Sequence, residues 1–351
     1  MAETTENRLQ SYWAADIFME ITSMRNGKVS EAVLKRSVLK QLHSKNSHVI
    51  QAASVGLDNS VLSVGDSAVV MATESVSLNT ANMAERAVTA AVNTVAISGA
   101  EPVGVMTAVI FPTVGNEAQL RELMRDLDVA CSHYGIQVMG GHTEVSRAVK
   151  SPVLTVTAVG LSPEEGHISS AAAMPGMDVI MTGWIAMDGT SVLAMEREEE
   201  LCGRFSRPFI DKAKTFRMLT GIAGEAAVAA KSGAAAMHDA SEGGIFGALW
   251  EFAEASGVGL EINLKKIPIR QETVEICEFF NINPYKLLSA GCLLIAAKDG
   301  NQVVREIEKA GGHAVIVGVT TDSNDRVLLQ EGERRFLETV QTDEIYKVLA
   351  Q

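Results

Sequence analysis

Two short segments concentrate residue types that could do chemistry. They are Val138-Met139-Gly140-Gly141-His142-Thr143-Glu144-Val145 and His238-Asp239-Ala240-Ser241-Glu242-Gly243-Gly244. Each sets a glycine pair beside ionisable side chains, after an apolar run that reads as a strand. A glycine pair lets backbone N–H groups approach a ligand with no Cβ in the way, and a helix N-terminus adds partial positive charge. The second segment runs into a helical pattern, Ile245 to Ser256. Together they point to a shared site for a phosphorylated ligand. His142 and His238 are suited to bond a phosphate or act as a general acid, or are plain loop histidines. Asp239 and Glu242 could be metal ligands, a base or helix caps, and Ser241 is the simplest cap.

Asp66 and Glu74 stand at predicted strand ends, Asn93 lies inside the Met83 helix, and Glu144 follows the first glycine pair. Mg²⁺ takes oxygen ligands, commonly one or two carboxylates plus substrate phosphates, so these four are a candidate cation set. The competing reading makes Asp66 and Glu74 turn and cap residues and Asn93 a satisfied helix polar group. Lys28 could reach a phosphate as a point charge, or be an ordinary surface lysine. Arg207, just before a helix, could bind an oxyanion or pair with a carboxylate. Cys292 follows Gly291 close to the second segment and is the cysteine to test for reactivity.

The elements that must position these residues alternate. Ala68–Thr73, Val103–Phe111 and Val153–Val159 read as strands, with helices at Met83–Ser98 and Glu117–Tyr134, each closed by a glycine. Glu31–Leu42 reads as a helical run, and Tyr12–Ile21 is an apolar stretch. Turn formers at Ser162–Gly166 and Met174-Pro175-Gly176 mark a boundary. Beyond it, strands are expected at Asp178–Gly183, Ala234–Met237, Gly259–Leu264, Leu293–Ala297 and Ala314–Val319. Helices are expected at Ser191–Leu201, Lys212–Lys231, Val303–Ala310 and Asp343–Leu349. Both halves are mixed αβ.

With 351 residues, 47% of them apolar, the chain has room for two ordinary domains. No apolar window is long enough to span a bilayer, and the acidic, polar start, Met1–Asn7, is unlike a secretory signal. Four dispersed cysteines fit buried thiols in a reducing cytoplasm. A net charge of −13 argues against nucleic-acid binding yet allows nucleotide binding through a bound cation.

The ordered segments resemble the aminoimidazole ribonucleotide (AIR) synthetase superfamily, nearest its hydrogenase-maturation dehydratase branch. Gly27-Lys28-Val29 resembles that branch's opening Gly-Lys-Leu, and Gly65–Val69 its Gly-Asp-Asp-Ala-Ala. Asn93–Pro102 resembles Asn-Asp-Leu-Ala-Met-Gly-Ala-Glu-Pro, and Gly140–Thr143 resembles Gly-Gly-Asp-Thr. Asp188–Ser191 falls at Asp-His-Gly, Asp239–Gly244 resembles Asp-Pro-Thr-Arg-Gly-Gly, and Ala253–Gly259 follows almost unchanged. The resemblance implies an α+β, two-domain protomer with an N-terminal segment (1–30), an N-terminal domain (31–165) for dimerisation and ATP/Mg²⁺, a layered αβ C-terminal domain (172–335) and a C-terminal helix (336–351). It implies a homodimer whose N-terminal sheets close into a barrel, ATP and Mg²⁺ between the domains, and phosphoryl transfer that activates an oxygen of a small-molecule or carbamoyl-type substrate. A maturation partner protein and a cytoplasmic location are also implied.

On that reading Asp66, Glu74, Asn93 and Glu144 surround Mg²⁺. Lys28, Asn93, Gly140, Gly141, Thr143, Gly243 and Gly244 contact nucleotide, and His142, His238 and Asp239 are the acid–base or orienting groups. The chain also departs from the pattern: Ser67, Glu74, Thr94 and His142 stand where aspartate or another acid is expected, and no cysteine follows Cys292. Each lost carboxylate weakens cation binding. Those departures motivate an alternative, a catalytically degenerate nucleotide-binding regulatory or maturation-factor dimer. A scaffold that binds no nucleotide is a third.

Overall fold

From Ser67 to Val76 every second residue is apolar or faces inward. The computed structural model, which describes residues 25–163 and 166–349, builds a strand there. It belongs to a sheet of β1 (Val49–Gln51), β2 (Asn59–Val64), β3 (Ser67–Val76), β4 (Glu101–Pro112), β5 (Gln137–Ser146) and β6 (Val153–Pro163), ordered β1-β2-β3-β6-β4-β5. Only the β4–β5 pair is parallel. Helices α1 (Met83–Ala96) and α2 (Glu117–His133) cover one face, over a core that includes Val70, Val88, Val92, Val105, Leu127 and Val156. An Asn116–Gln119 capping box starts α2. The other face, carrying Met71, Thr73, Met106, Ala108, Ile110, Thr157 and His142, is not buried.

The second sheet runs β13-β12-β9-β11-β7-β10-β8. Its strands are β7 (Asp178–Thr182), β8 (Ala234–Ala240), β9 (Gly259–Asn263), β10 (Cys292–Ala297), β11 (Ala314–Thr321), β12 (Arg326–Gln330) and β13 (Glu333–Phe336). Every residue of β10 is buried, as a central strand covered on both faces requires. The main helices are α3 (Met187–Glu196), α4 (Ala223–Lys231), α5 (Gly244–Ser256), α6 (Gln271–Phe279) and α7 (Gly300–Lys309). α4 and α7 pack on the face of Ile180, Leu293 and Ile295, and α5 on the face of Met181, Leu294 and Ala296. α3 and α6 form a helical cluster beside the sheet. Among the described residues no helix is long and apolar enough to cross a membrane.

The expected continuous helix Lys212–Lys231 is instead Arg207–Lys214, a 3₁₀ turn Thr215–Leu219 and then α4. The break has a tertiary cause. Asn93, 1% exposed on α1, donates from Nδ2 to the Thr220 carbonyl (2.8 Å) and accepts at Oδ1 from the Ile222 N–H (3.0 Å). Asn93 is therefore an inter-domain bridge with both amide atoms engaged, not a cation ligand. Arg86–Asp188 (3.2 Å) and Arg217–Glu85 (2.6 Å) join the same two halves. The expected helix Glu31–Leu42 is an α-turn, a π segment and a 3₁₀ turn with no buried residue to hold a regular helix. The helix expected over Ser191–Leu201 begins at Met187 and breaks at Arg197. Tyr12–Ile21, Glu164 and Glu165 lie outside the described residues.

Replacing Asn93 with alanine strands two buried backbone groups at the domain seam. Urea unfolding of Asn93→Ala is expected to show a loss of about 2–4 kcal/mol. A loss below about 0.5 kcal/mol, within the range of ordinary surface substitutions, would contradict the bridging role.

Candidate functional site

β8 ends the second sheet, and its alternation sends His238 and Asp239 to opposite faces. His238 turns toward α5, its ring stacked at 6.3 Å on Phe252. Asp239, 7% exposed, turns to the side where α1 packs. The chain then needs left-handed backbone at Gly243 (φ +89°) and Gly244 (φ +65°) to enter α5. A Cβ on Gly244 would lie 2.6 Å from the Tyr285 carbonyl, so that glycine serves close packing. The Gly243 N–H donates to Asp343 Oδ2 (2.7 Å). The second glycine pair thus builds a turn whose amide is already taken by a carboxylate from the C-terminal segment. Ser241 is not the side-chain cap: the N-cap is Gly243, and Ser241 contributes its carbonyl to the Gly244 N–H (3.1 Å). Asp343 is also bonded by the N–H groups of Leu288 (3.3 Å) and Ile345 (2.9 Å), yet burial pushes its carboxyl up to about 7.

Across this turn lies a strap, residues 27–35. Gly27 has φ +94°, and a Cβ there would collide with Glu242 Oε1. The Lys28 N–H donates to that same oxygen (2.8 Å), and Lys28 Nζ stands 3.7 Å from Glu251 Oε2 on α5. Trp250 Nε1 donates to Glu31 (2.7 Å), and Lys35 pairs with Glu31 and Glu254 (2.5 Å each). The strap separates two cavities. One, of about 660 Å³, is lined by Asp58, Gly243, Trp250, Glu251 and Gln341. The other, of about 320 Å³, is lined by Glu74, Ser75, Ser77, Arg86 and Asp188. Lys28 and Glu242 border both. Arg86 Nη1 is buried there without an acceptor.

The ionisable groups at the seam are Lys28, Asp58, Glu74, His238, Asp239 and Glu251. Burial pushes Glu74 up to about 7 and Asp239 up to about 6; neighbouring acids add to both shifts, while Lys28 opposes them. Asp239 Oδ1 is buried with no hydrogen-bond partner. Burial also works against the charge of Glu251, but Lys28 and His238 overcome it and hold that carboxyl down to about 2. Lys28 is raised well above the usual lysine range, chiefly by Glu251. This is a seam with more acid than base, where a cation or a nucleotide-bound cation lowers the electrostatic cost.

Of the residues expected to share a site, Lys28, Glu74, His238, Asp239 and Gly243 meet here. Asp66 does not: it sits in the exposed β2–β3 turn, about 25 Å along the strand from Glu74. Gly140, Gly141, His142, Thr143 and Glu144 lie within edge strand β5, three strands and about 14 Å from β3. Gly141 is there because its backbone touches the partner strand: a Cβ would collide with the Thr107 carbonyl. His142 and Glu144 face each other at 3.3 Å, exposed. The first glycine pair is therefore strand, not a phosphate loop of this protomer. Arg207 pairs with Glu198 (2.7 Å) and Asp211 (3.5 Å). Cys292 donates its thiol to the Trp184 carbonyl (2.9 Å), and burial pushes its pKa up, which removes it as a nucleophile.

Asp58, Glu251 and Arg86 escape a motif-based reading. Glu251 had a signal: Gly247, Trp250, Glu251 and Glu254 follow the spacing of one helical face, the face the strap covers. Asp58 directly precedes β2, a strand whose mixed polar pattern hides it.

The AIR synthase related protein N-terminal domain matches residues 56–162, and the C-terminal domain of the same description matches residues 174–330. The carbamoyl dehydratase HypE of Rhizobium leguminosarum bv. viciae is 27% identical over 281 residues, 77% of this chain and 78% of its own. A solved HypE–HypF complex superposes with a TM-score of 0.66 at 21% identity, over 80% of this chain and 92% of that one. Hydrogenase maturation protein HypE in complex with ATP superposes with 0.64 at 16% identity, over 92% and 98%.

The raised carboxyl of Glu74 carries a pH signature. Below its unfolded-state value of 4.5 it is protonated in both states and contributes nothing. As pH rises toward about 7 the unfolded state releases the proton first, so stability falls, and the penalty is complete above about 7. Glu74→Gln removes it. The thermal midpoint of the variant minus that of the parent, in the absence of divalent ions, is expected near zero at pH 4 and positive at pH 8. A variant less stable at both pH values would contradict this environment.

Proposed function

The chain belongs to the AIR synthase related protein family, and from that premise we propose an ATP-dependent enzyme that moves the γ-phosphoryl group of ATP onto an oxygen of a small, carbamoyl-type substrate. The observation that carries the reading is the burial of the neighbouring Glu74 and Asp239 carboxyls at the domain seam, with Asp239 Oδ1 buried and without a hydrogen-bond partner. A relative named carbamoyl dehydratase and a fold neighbour solved with ATP support it.

Mg²⁺ fits that pair by charge and donor type, two oxygen ligands with phosphate oxygens completing the shell. When bound it supplies neutralisation of phosphate charge. The chain's own residues do the rest. Lys28, which borders both cavities, supplies a point charge for phosphate. Arg86, fixed through Nε by both carboxylate oxygens of Asp188, keeps part of its fork free toward the smaller cavity, where an acceptor is oriented. The strap and the C-terminal segment line the larger cavity together, so catalysis there rests on positioning. A second reading, the nucleotide-binding regulator, is favoured by one contact: Thr94, where the pattern has an acid, bonds Glu74 with its hydroxyl (3.4 Å) and offers no carboxylate.

The open face of the first sheet, with Met106 50% exposed, is where two copies would pair into a homodimer, and it places His142 and Glu144 toward a second protomer. Sedimentation equilibrium returning only monomer would contradict that pairing. A maturation partner of the kind HypE meets in the HypE–HypF complex, and a cytoplasmic location, complete the proposal.

Thermal unfolding with ATP, with and without Mg²⁺, and product analysis on the same samples test the reading. Saturation at a hundredfold the dissociation constant is expected to stabilise the protein by about 2.7 kcal/mol, only with Mg²⁺. Asp239→Asn is expected to lose that stabilisation and Asp66→Ala to keep it. No shift with ATP and Mg²⁺ would overturn the proposal. Binding without phosphoryl transfer to carbamoyl-type substrates would select the regulator.

A further inference from the structure

A third cavity, of about 680 Å³, lies between the two domains, and the nucleotide reading does not use it. One wall is formed by α1 and α2. The other is formed by the end of α3, the 3₁₀ turn Thr215–Leu219 and the start of α4. That second wall contains the break between turn and helix that Asn93 holds. Thr89 and Thr220 line this cavity and the smaller cavity of about 320 Å³ alike.

The polar groups here are few and specific. Asn82, 8% exposed just ahead of α1, accepts the Thr80 hydroxyl at Oδ1 (3.2 Å), while its Nδ2 is buried without an acceptor. A buried donor left unpaired carries a desolvation cost that an incoming acceptor removes. Tyr134 donates its hydroxyl to Thr89 (3.1 Å), which leaves its ring as an apolar wall. Met195 and Met218 add thioethers, polarisable groups that adapt to an aromatic ring. Charge sets the sign of the ligand. Among the described lining residues Arg217 is the one permanent cation. Glu85 pairs with it at 2.6 Å, so Asp126 stands in excess. An anion, nucleotide phosphate included, meets like charge.

We propose that this cavity is a second ligand site, for an uncharged, planar aromatic or heteroaromatic amide. The ring lies against Tyr134 and the two methionines. The amide carbonyl accepts from Asn82 Nδ2, and the amide N–H donates to Asp126. A mostly apolar wall with a few placed polar groups is the usual make-up of a small-molecule site.

An occupant touches α1, α2 and the Thr220–Gly221 backbone at once, and so ties the two domains beside the Asn93 bridge. It also contacts Thr89 and Thr220, which bound the smaller cavity from its other side. The inference rests on this cavity alone and needs no nucleotide.

The test is NMR titration of the full chain, labelled with ¹³C at its methionine methyl groups, with no nucleotide present. The probes are benzamide, nicotinamide and quinoline-2-carboxamide, each against its carboxylate: benzoate, nicotinate and quinoline-2-carboxylate. The Met195 and Met218 signals are identified from Met195→Leu and Met218→Leu. At least one amide is expected to shift both signals saturably, and its carboxylate to bind at least tenfold more weakly. Gly224 lines the cavity, and a Cβ added there meets nothing within 4 Å, so Gly224→Trp fills the space and is expected to abolish binding. Asn82→Leu is expected to weaken the amide at least fivefold, with circular dichroism confirming the fold. Met218 is 71% exposed, so Met218→Glu keeps the fold and is expected to weaken binding at least threefold. No shift with any amide, a carboxylate that binds as tightly as its amide, or binding indifferent to both Gly224→Trp and Met218→Glu overturns the proposal. Because nucleotide is absent, its failure leaves the ATP reading untouched, and loss of ATP binding leaves this one untouched.

Discussion

Lys28 against Glu251 is the contact on which the seam depends. Two sheets, each with its own core, bring Asp58, Glu74, Asp239 and Glu251 together where, among the described residues, Lys28 and the buried His238 balance them. The ammonium holds Glu251 ionised, while Glu74 and Asp239 are left with carboxyls pushed up to about 7 and about 6. An isolated buried carboxylate would cost several kcal/mol, so the seam either keeps protons or takes a cation. With those carboxyls at about 7 and about 6, proton loss falls near neutral pH. That is the property a site for an ion-bearing anionic ligand needs.

The fold was largely legible. Val153–Val159 and Val103–Phe111 lie within β6 and β4, and the alanine- and valine-rich pattern of Met83–Ser98 covers α1, because these elements bury one clear face. What failed was local pattern overridden by tertiary contact. Lys212–Lys231 reads as one helix, but Asn93 holds Thr220 and Ile222 in a conformation that breaks it. β5 was hidden because nearly all its residues are exposed and its glycines resemble a loop.

The site was half legible, for a physical reason. Lys28, Glu74, His238 and Asp239 sit in motifs whose glycines or strand ends mark them. Glycines, however, have several uses. Gly141 and Gly244 serve backbone approach, and Gly27 makes room for Glu242, so glycine pairs alone overstate phosphate binding. Asp58 and Glu251 act only because β2 and α5 meet across the seam, a non-local fact. Thr94 bonds Glu74 where the family pattern has an acid, and Asp58 adds a carboxylate near Glu74 from elsewhere in the chain.

The central claim, that Glu74 and Asp239 hold the cation of a nucleotide at the seam, is met most directly by a crystal structure of the chain grown with ATP and Mn²⁺, read through anomalous density. An anomalous peak touching both carboxylates and a phosphate oxygen is expected, with Lys28 turned toward the phosphates. Nucleotide seated instead in the separate cavity of about 680 Å³ that Glu85, His133, Tyr134 and Met218 line, with no metal at Glu74 and Asp239, would contradict the claim.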